Sequence, residues 1–508
     1  MIHMPLFRVL IFIISYNAEA FIEKVLDRIP VGVWENDDYQ VEVLVIDDQS
    51  SDSTFYRANS FRQAHPTLHI QVLYNPVNQG YGGNQKLGYH YALQQGFDAI
   101  VLLHGDGQYA PEYLDQMIRP LLKDEADVVL GSRMIRRLDA LRGKMPLYKW
   151  IGNQVLTFIQ NKLLGSSLSE FHTGYRAFLT QALRRIPFEY NANGFDFDTD
   201  VLIQLLDTGQ RILEISVPTY YDDEISHVNG ISYAMDILRT TMRSRIVRLN
   251  LLYDRRFDYW QQQETYTLKL GYPSSHEFAL EHTIPDATIL DLGCGPGYMA
   301  QALAQKGARI ISLDRRITQL TRQHSIHTIE TDIERIDWAQ IQFQVDLVFM
   351  LDIIEHLHNP EEFMLQARDH LAREKSPRFL ITTGNVAFFI VRFSLAVGLL
   401  NYGKKGILDQ DHKRLFTFAS LRRLLESTGY EILEVRGIPA PYPLAIGDNF
   451  LAHLLILLNR LLICISSGLF SYQIAFVAQP RPMVSYLLAS AQVASRQKVQ
   501  DLEESGTT

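Results

Sequence analysis

Apolar residues in this chain come in short runs, and the runs alternate with stretches where apolar positions recur every three or four residues. Runs at 8–15, 41–47, 69–74, 99–104 and 127–131 predict five strands in the first half, with helices over 20–28 and 82–95 among them. Runs at 288–292, 309–314, 345–351 and 379–383 predict four more, followed by two late strands at 431–436 and 472–478. Alternation of this kind predicts α/β architecture on parallel sheets in both halves. The stretch 235–270 is rich in Arg, Tyr and Gln and lacks Gly and Pro, so it predicts one or two bridging helices and a domain boundary near 255–275. The halves share architecture but no repeated motif.

Two stretches are almost wholly apolar. One, 386–400, is interrupted by Arg392; the other, 450–465, by His453, Asn459 and Arg460. Neither approaches the ~20 uninterrupted apolar residues needed to cross a bilayer. A buried helix of a soluble domain is the preferred reading, with a helix lying in a membrane interface as the other. The apolar run 9–14 passes straight into Ser15-Tyr16-Asn17 without a small-residue cleavage site, so it reads as a buried first strand rather than a signal peptide.

A length of 508 residues exceeds the roughly 250–300 at which a single core stops growing, so two or more domains are expected. Acidic residues outnumber basic ones by 57 to 48 and the net charge is −9, which argues against a general nucleic-acid binder. Local cationic pockets for a sugar nucleotide or a lipid phosphate remain compatible with that balance. Two cysteines, Cys294 and Cys464, make neither a disulfide framework nor a thiolate cage, and point to a reducing, cytoplasmic compartment.

In the first half, chemistry gathers at the predicted strand ends. Strand one runs into Ser15, Asn17 and Glu19; strand two ends in Asp47-Asp48, where a carboxylate points into the ligand crevice of an open α/β sheet. Asp48 could accept hydrogen bonds from a uracil or guanine ring, while Asp52 or Ser53 caps the next helix. The turn Asn78-Gln79-Gly80-Tyr81-Gly82-Gly83-Asn84 opens a helix whose amides would suit a diphosphate. Strand four ends in His104-Gly105-Asp106-Gly107-Gln108, with ligand-bearing residues at alternate positions, as a divalent cation bridging two phosphates requires.

With Gly131-Ser132-Arg133, the run 172–176 and Gly194-Phe195-Asp196-Phe197-Asp198 in the same order, residues 8 to about 230 resemble a family 2 glycosyltransferase of the GT-A fold. Within that family they resemble the dolichyl- or polyprenyl-phosphate sugar transferase branch. One position departs from the family pattern: His104 stands where the metal motif usually begins with aspartate, leaving Asp106 and Gln108 matched. His104 then either ligates the metal, favouring Mn²⁺ over Mg²⁺, or hydrogen-bonds the donor; loss of metal and activity is the third reading. The resemblance implies inversion at the anomeric carbon of a nucleotide-diphospho-sugar, with the metal, Asp106 and Arg133 stabilising the leaving diphosphate. A sugar hydroxyl acceptor needs a base, for which Asp196, Asp198 and Asp200 are candidates, although all three could simply cap a helix. A lipid phosphate needs none, and Arg142, Lys144 and Arg176 would steer it.

In the second half the turn Asp291-Leu292-Gly293-Cys294-Gly295-Pro296-Gly297 follows a strand and precedes a helix. Glycine at alternate positions is not the Gly-x-Gly-x-x-Gly spacing of dinucleotide sites. Asp314 ends the next strand, where a carboxylate can bind two ribose hydroxyls, and Asp332 suits an adenine amino group. Together these resemble a class I S-adenosylmethionine-dependent methyltransferase with a Rossmann-like fold over roughly 275–480. The resemblance implies that Asp291 counters the methionyl ammonium and that the two late strands form the reversed hairpin closing the sheet. Glu355-His356-Leu357 resembles a signature of small-molecule and sugar O-methyltransferases. His356 is a candidate base for the acceptor hydroxyl, or else a packing residue. The polar cluster 406–417 resembles a lid, with His412 a second candidate base.

The resulting expectation is a glycosyltransferase at 1–250, a helical linker at 251–274, a methyltransferase at 275–482 and a tail at 483–508. The expected partners are a nucleotide-diphospho-sugar and a glycan, glycolipid or polyprenyl-phosphate acceptor, with contact on the inner face of a membrane. In a contrasting reading one half is a non-catalytic binding module that presents substrate to the other.

Overall fold

The computed structural model describes residues 6–136, 140–141, 143, 145–218, 230–249, 251–258, 268–372, 376–484, 486–488, 491–492 and 494–495. The chain forms two units, one from Met1–Arg248 with Asp254–Gln262, the other from Leu249–Tyr253 with Gln263–Thr508.

The first unit is built on seven strands: β1 (Phe7–Ser15), β2 (Tyr39–Asp47), β3 (Ile70–Tyr74), β4 (Ala99–His104), β5 (Val128–Ser132), β6 (Arg176–Leu179) and β7 (Ile212–Ser216). Their order is β3-β2-β1-β4-β6-β5-β7, with β6 alone antiparallel to its neighbours. β1 is apolar throughout because both of its faces are covered, as in parallel sheets. Val9, Ile11 and Ile13 face one core; Leu10, Phe12 and Ile14 face the other. Its register sets Ser15 beside Asp47 and Ile14 beside His104, so the expected ligand residues end in one row.

The second unit holds β8 (Thr288–Leu292), β9 (Arg309–Asp314), β10 (His327–Glu330), β11 (Leu347–Leu351), β12 (Arg378–Gly384), β13 (Tyr430–Ile438) and β14 (Gln473–Pro480). Their order is β10-β9-β8-β11-β12-β14-β13, and β14 runs antiparallel between β12 and β13. The reversed hairpin is therefore present, and with it the Rossmann-like sheet.

The structure corrects three sequence expectations. The glycine-rich segment does not form a flexible turn: helix Gly80–Gln94 starts at Gly80 itself. Gly82 is needed for close packing, since a Cβ there would meet Phe197 Cβ at 2.5 Å. The bridging segment is helical through Gly230–Arg248 and then holds a single 3₁₀ turn, Arg255–Phe257, capped by Asp254. Residues 259–267 lie outside the described residues.

The third correction concerns the apolar stretches. Helix Phe389–Ala396 buries only Val391, and helix Phe450–Ile465 buries only Ala452, Ile456 and Asn459. Each turns one narrow face inward; Ile390, Leu455 and Ile463 are half-buried, and most of the other apolar residues stay exposed. Among the described residues no helix is long and apolar enough to cross a membrane.

Candidate active sites

At the rim of the first sheet the expected nucleotide-sugar residues knit two loops together. Asn17 Oδ1 accepts from Ser51 N at 2.9 Å, and Glu19 Oε2 accepts from Ser53 N at 2.7 Å. Asp48 accepts from Asn75 Nδ2 at 2.7 Å, Gln79 N at 2.9 Å and Gly80 N at 2.9 Å. Asp48 thus clamps the start of the glycine helix, its oxygens taken up by donors of the protein itself. Asp47 is buried; Oδ1 holds Ser50 N at 2.8 Å, while Oδ2 has no partner among the described residues. Ser15 Oγ beside it is likewise buried and unpartnered.

The expected diphosphate cradle is not open. Gly80 N donates to Asp48, while Gly82 N and Gly83 N both donate to Asn193 O, at 2.8 and 3.4 Å. These amides are satisfied within the protein because 191–197 folds back over the helix start.

His104 sits at the end of β4 in a wired pocket. Tyr81 Oη donates to Asp198 Oδ2 at 2.9 Å and lies 3.2 Å from His104 Nε2. A hydroxyl has one proton, so with that proton on Asp198 the imidazole must donate through Nε2–H, leaving the Nδ1 lone pair bare. His104 Nδ1 is 3.9 Å from Asp106 Oδ2, a separation that two ligands of one cation can share. Burial holds the imidazole at a pKa of about 4, keeping it neutral as ligation requires. Asp106 Oδ1 accepts from Gln108 N at 3.0 Å, and burial raises its carboxyl. This donor set, one imidazole nitrogen and one carboxylate oxygen with Gln108 adjacent, fits Mn²⁺ at least as well as Mg²⁺. Among the described residues no cluster of three His, Cys, Asp or Glu groups is poised for a metal.

The other expected charges are largely committed. Arg133 pairs with buried Glu170 through its guanidinium, and Asn153 holds the same carboxylate at 2.8 Å. Arg176 is fully buried and donates to Thr173 O, Asp198 O and Phe171 O, so it cannot steer an acceptor phosphate as expected. Arg142 and Lys144 lie outside the described residues.

The three candidate bases separate cleanly. Asp198 holds Tyr81 and Gln85, and Asp200 pairs with Arg256 at 3.2 Å, burial lifting it to about 6. Asp196 alone opens into a cleft of about 180 Å³, lined also by Asp236, Arg239, Thr240, Arg243 and Arg256.

In the second unit, Gly293, Gly295 and Gly297 take φ values of 77°, 55° and 96°. At Gly297 a Cβ would meet Thr321 Oγ1 at 2.6 Å and Thr321 N at 2.7 Å, so only glycine lets the helix Tyr298–Gln305 begin there. Asp314 Oδ2 accepts from Gly295 N at 2.8 Å, fixing the turn against the end of β9. Asp332 caps a 3₁₀ turn through Glu334 N and pairs with exposed Arg315 at 2.9 Å. Asp291 is buried with Oδ2 unpartnered; burial and then Asp314 raise it to about 7. A buried acid without a counter-charge beside a glycine cradle fits a cationic adenosyl donor.

On the acceptor side, His356 Nδ1 faces Asp411 O at 3.3 Å and His412 Nδ1 faces Ile407 O at 3.1 Å, with ring centroids 4.8 Å apart. A carbonyl only accepts, so both rings carry their proton on Nδ1 and present a bare Nε2. Burial lowers the His412 pKa, keeping it neutral. Lys413 N and Arg414 N donate to Glu355 O, pinning the expected lid segment across this turn.

Sequence reasoning passed over Glu355 itself. It is buried, Oε2 is unpartnered, and burial with neighbouring Asp352 raises its carboxyl. It also passed over Tyr81, whose spacing of four from Gln85 puts both on the helix face that meets Asp198.

Residues 10–186 match the family described as Glycosyl transferase family 2, and residues 255–435 match one described as Methyltransferase domain. The undecaprenyl-phosphate mannosyltransferase of Micrococcus luteus is 30% identical over 226 residues, covering 43% of this chain and 85% of that protein. The UDP-N-acetylglucosamine–dolichyl-phosphate N-acetylglucosaminyltransferase of Methanococcus voltae is 27% identical over 219 residues, 41% of this chain and 84% of that protein. The ubiquinone biosynthesis O-methyltransferase of Aeromonas salmonicida is 27% identical over 172 residues, 32% of this chain and 71% of that protein.

Proposed function

The chain belongs to glycosyl transferase family 2 through its first half and carries a methyltransferase domain in its second, and on that premise we propose one enzyme with two transfer activities. It moves a sugar from a nucleotide-diphospho-sugar to a polyprenyl phosphate, and a methyl group from S-adenosylmethionine to the glycolipid or a neighbouring glycan hydroxyl. The pathway served is cell-surface glycan or glycolipid assembly at the cytoplasmic face of a membrane. The observation that carries the lipid-phosphate acceptor is the 30% identity across 85% of an undecaprenyl-phosphate mannosyltransferase. The cleft beside Asp196 adds little to it, because Arg243 and Arg256, which line it, pair with Asp254 and Asp200, and Asp236 lines it too.

In this reading His104 Nδ1, Asp106 and Gln108 hold a divalent cation, which supplies charge neutralisation on the departing diphosphate. Asp47 and Ser15 accept and donate hydrogen bonds at the base and ribose. Asp48, Asn17 and Glu19 keep that rim in shape, and Glu170 orients Arg133 toward the diphosphate. A phosphate oxygen attacks the anomeric carbon opposite the leaving group, inverting it, and needs no base to lose a proton.

In the second unit Asp291 pairs with the methionyl ammonium, Asp314 accepts from the ribose hydroxyls, and Asp332 sits toward the adenine. S-adenosylmethionine would supply an electrophilic methyl group, its sulfonium C–S bond breaking to release the thioether S-adenosylhomocysteine, and His412 Nε2, or His356 Nε2, would take the acceptor hydroxyl proton. The test is the full chain incubated with Mn²⁺, labelled nucleotide sugars and undecaprenyl phosphate. Label should pass into the organic phase and stay behind with EDTA; label found only on water-soluble acceptors would overturn the lipid-phosphate reading.

A further inference from the structure

Helix Phe450–Ile465 is built inside out for a helix bathed in water. Its inward face carries Ala452, Ile456 and the polar Asn459, whose amide donates to Phe470 O at 2.8 Å and whose Oδ1 accepts from Ala440 N at 3.0 Å. Its outward face carries Phe450 at 82% exposure, Leu457 at 55%, Leu461 at 58% and Ile465 at 79%, with Leu454 and Leu458 between them. Isolated exposed leucines are ordinary, but a contiguous apolar face marks an interaction surface.

The patch continues beyond this helix. Phe470, just after it, packs its ring 5.8 Å from Phe389, and Asn385 Nδ2 donates to Gly468 O at 3.1 Å and Ser471 O at 2.8 Å. Those contacts bring the start of helix Phe389–Ala396, whose Phe393 is 67% exposed, beside the segment that follows Phe450–Ile465. The face also adjoins the methyl site, since Asn385 follows the end of β12, where Thr382 holds Asp352.

Charge identifies the occupant. Helices Phe389–Ala396 and Phe450–Ile465 contain no aspartate or glutamate and carry Arg392 and Arg460, in a chain of net charge −9; Asp448, just before the second helix, pairs with its His453 at 2.7 Å. An apolar face on helices whose only Lys or Arg residues are Arg392 and Arg460, with no acid among them, complements an anionic lipid surface. Sixteen residues at 1.5 Å each reach ~24 Å, short of the ~30 Å hydrocarbon core, so the helix lies along the surface.

We propose that this face docks the methyltransferase unit on an anionic bilayer, so that the methyl acceptor reaches His356 and His412 from the plane of the membrane. The inference stands whether or not polyprenyl phosphate is the sugar acceptor. Flotation of the full chain with phosphatidylglycerol-containing vesicles tests it, with phosphatidylcholine vesicles as reference. The wild type should float with anionic vesicles, and Leu457→Asp with Leu461→Asp should cut the bound fraction by roughly tenfold or more. Arg460→Glu should weaken binding less and remove part of its salt dependence. The variants' thermal melts and S-adenosylmethionine affinity should match the wild type, which separates lost docking from lost folding. No flotation of the wild type would overturn the proposal, as would binding unchanged in the double variant. A face that closes only between two copies would show as a dimer dispersed by the same substitutions without any vesicle binding, and would also overturn it. Binding lost only on Ile151→Asp with Phe158→Asp, exposed apolar positions of the other unit, would overturn it too.

Discussion

The two candidate sites differ in how far their buried charges are paired. In the first unit Asp48, Asp198, Arg133 and Arg176 are satisfied by one another or by nearby backbone and side chains. Among the described residues Asp47 Oδ2 is the exception there, whereas in the second unit both Asp291 and Glu355 keep one buried oxygen without a partner. A buried carboxylate that lacks a counter-charge is unfavourable until a cation arrives. A nucleotide-diphospho-sugar brings negative charge to a site wired in advance, whereas a sulfonium donor brings the positive charge that its site lacks. On the proposed reading most of the first site's charges are paired before its ligand binds, with Asp47 Oδ2 and Ser15 Oγ left open, whereas the second site's buried acids await a cation.

The largest expected effect breaks that asymmetry directly. Asp291→Asn should lower S-adenosylmethionine affinity by roughly 100- to 1000-fold in calorimetry, because the donor's ammonium loses its buried partner. Sugar transfer should be unchanged; intact methyl-donor affinity would remove Asp291 from the site. Next, His412→Gln should lower the methyl-transfer rate by about 100-fold without weakening donor binding, as expected of a proton acceptor. Exposed His356→Gln should cost less, and the reverse order would exchange their roles.

The pH dependence sharpens the same contrast. Asp291 sits at about 7 in the free protein, and only its ionised form pairs with a cation. Donor affinity should fall roughly tenfold for each pH unit below that value, and the slope should vanish in Asp291→Asn. The folded-state pKa lies above the ordinary carboxylate value. The stability it contributes is therefore present at low pH and is lost as pH rises from about 4 to 7. Thermal melts of the ligand-free protein should show that decline, and bound donor should flatten it.

The smallest effect belongs to the site wired in advance. Tyr81→Phe frees His104 to carry its proton on either nitrogen and should weaken Mn²⁺ about tenfold, comparable to losing a residue that orients a metal ligand. His104→Asp should keep activity while moving the preference toward Mg²⁺; unchanged activity and metal preference would show that His104 is not a ligand.

The sheets were legible in the sequence wherever a strand was long and apolar on both faces. β1, β4, β8 and β9 show this, since covered parallel strands need unbroken runs. β6 was not, because four residues headed by an arginine carry no strand pattern, and Arg176 is held in the core by backbone carbonyls and by the Asp198 carboxylate 3.7 Å away. Motif order picked out both candidate sites but not the state of their charges. Whether Asp47 or Asp48 faces the ligand depends on loop hydrogen bonds from Asn75, Gln79 and Gly80, and spacing does not encode these. The exposure of the two apolar helices was equally hidden. Composition alone cannot distinguish a helix covered by its own protein from one left for another surface.

The central claim is that one chain performs both transfers. The most direct test supplies the full-length protein with a nucleotide sugar, undecaprenyl phosphate in anionic vesicles and methyl-labelled S-adenosylmethionine, and resolves the lipid fraction by mass spectrometry. The account predicts a glycosylated lipid that also carries the labelled methyl group. Sugar transfer should survive Asp291→Asn and methyl transfer should not. A glycosylated lipid that never gains the label, although the donor binds, would contradict it.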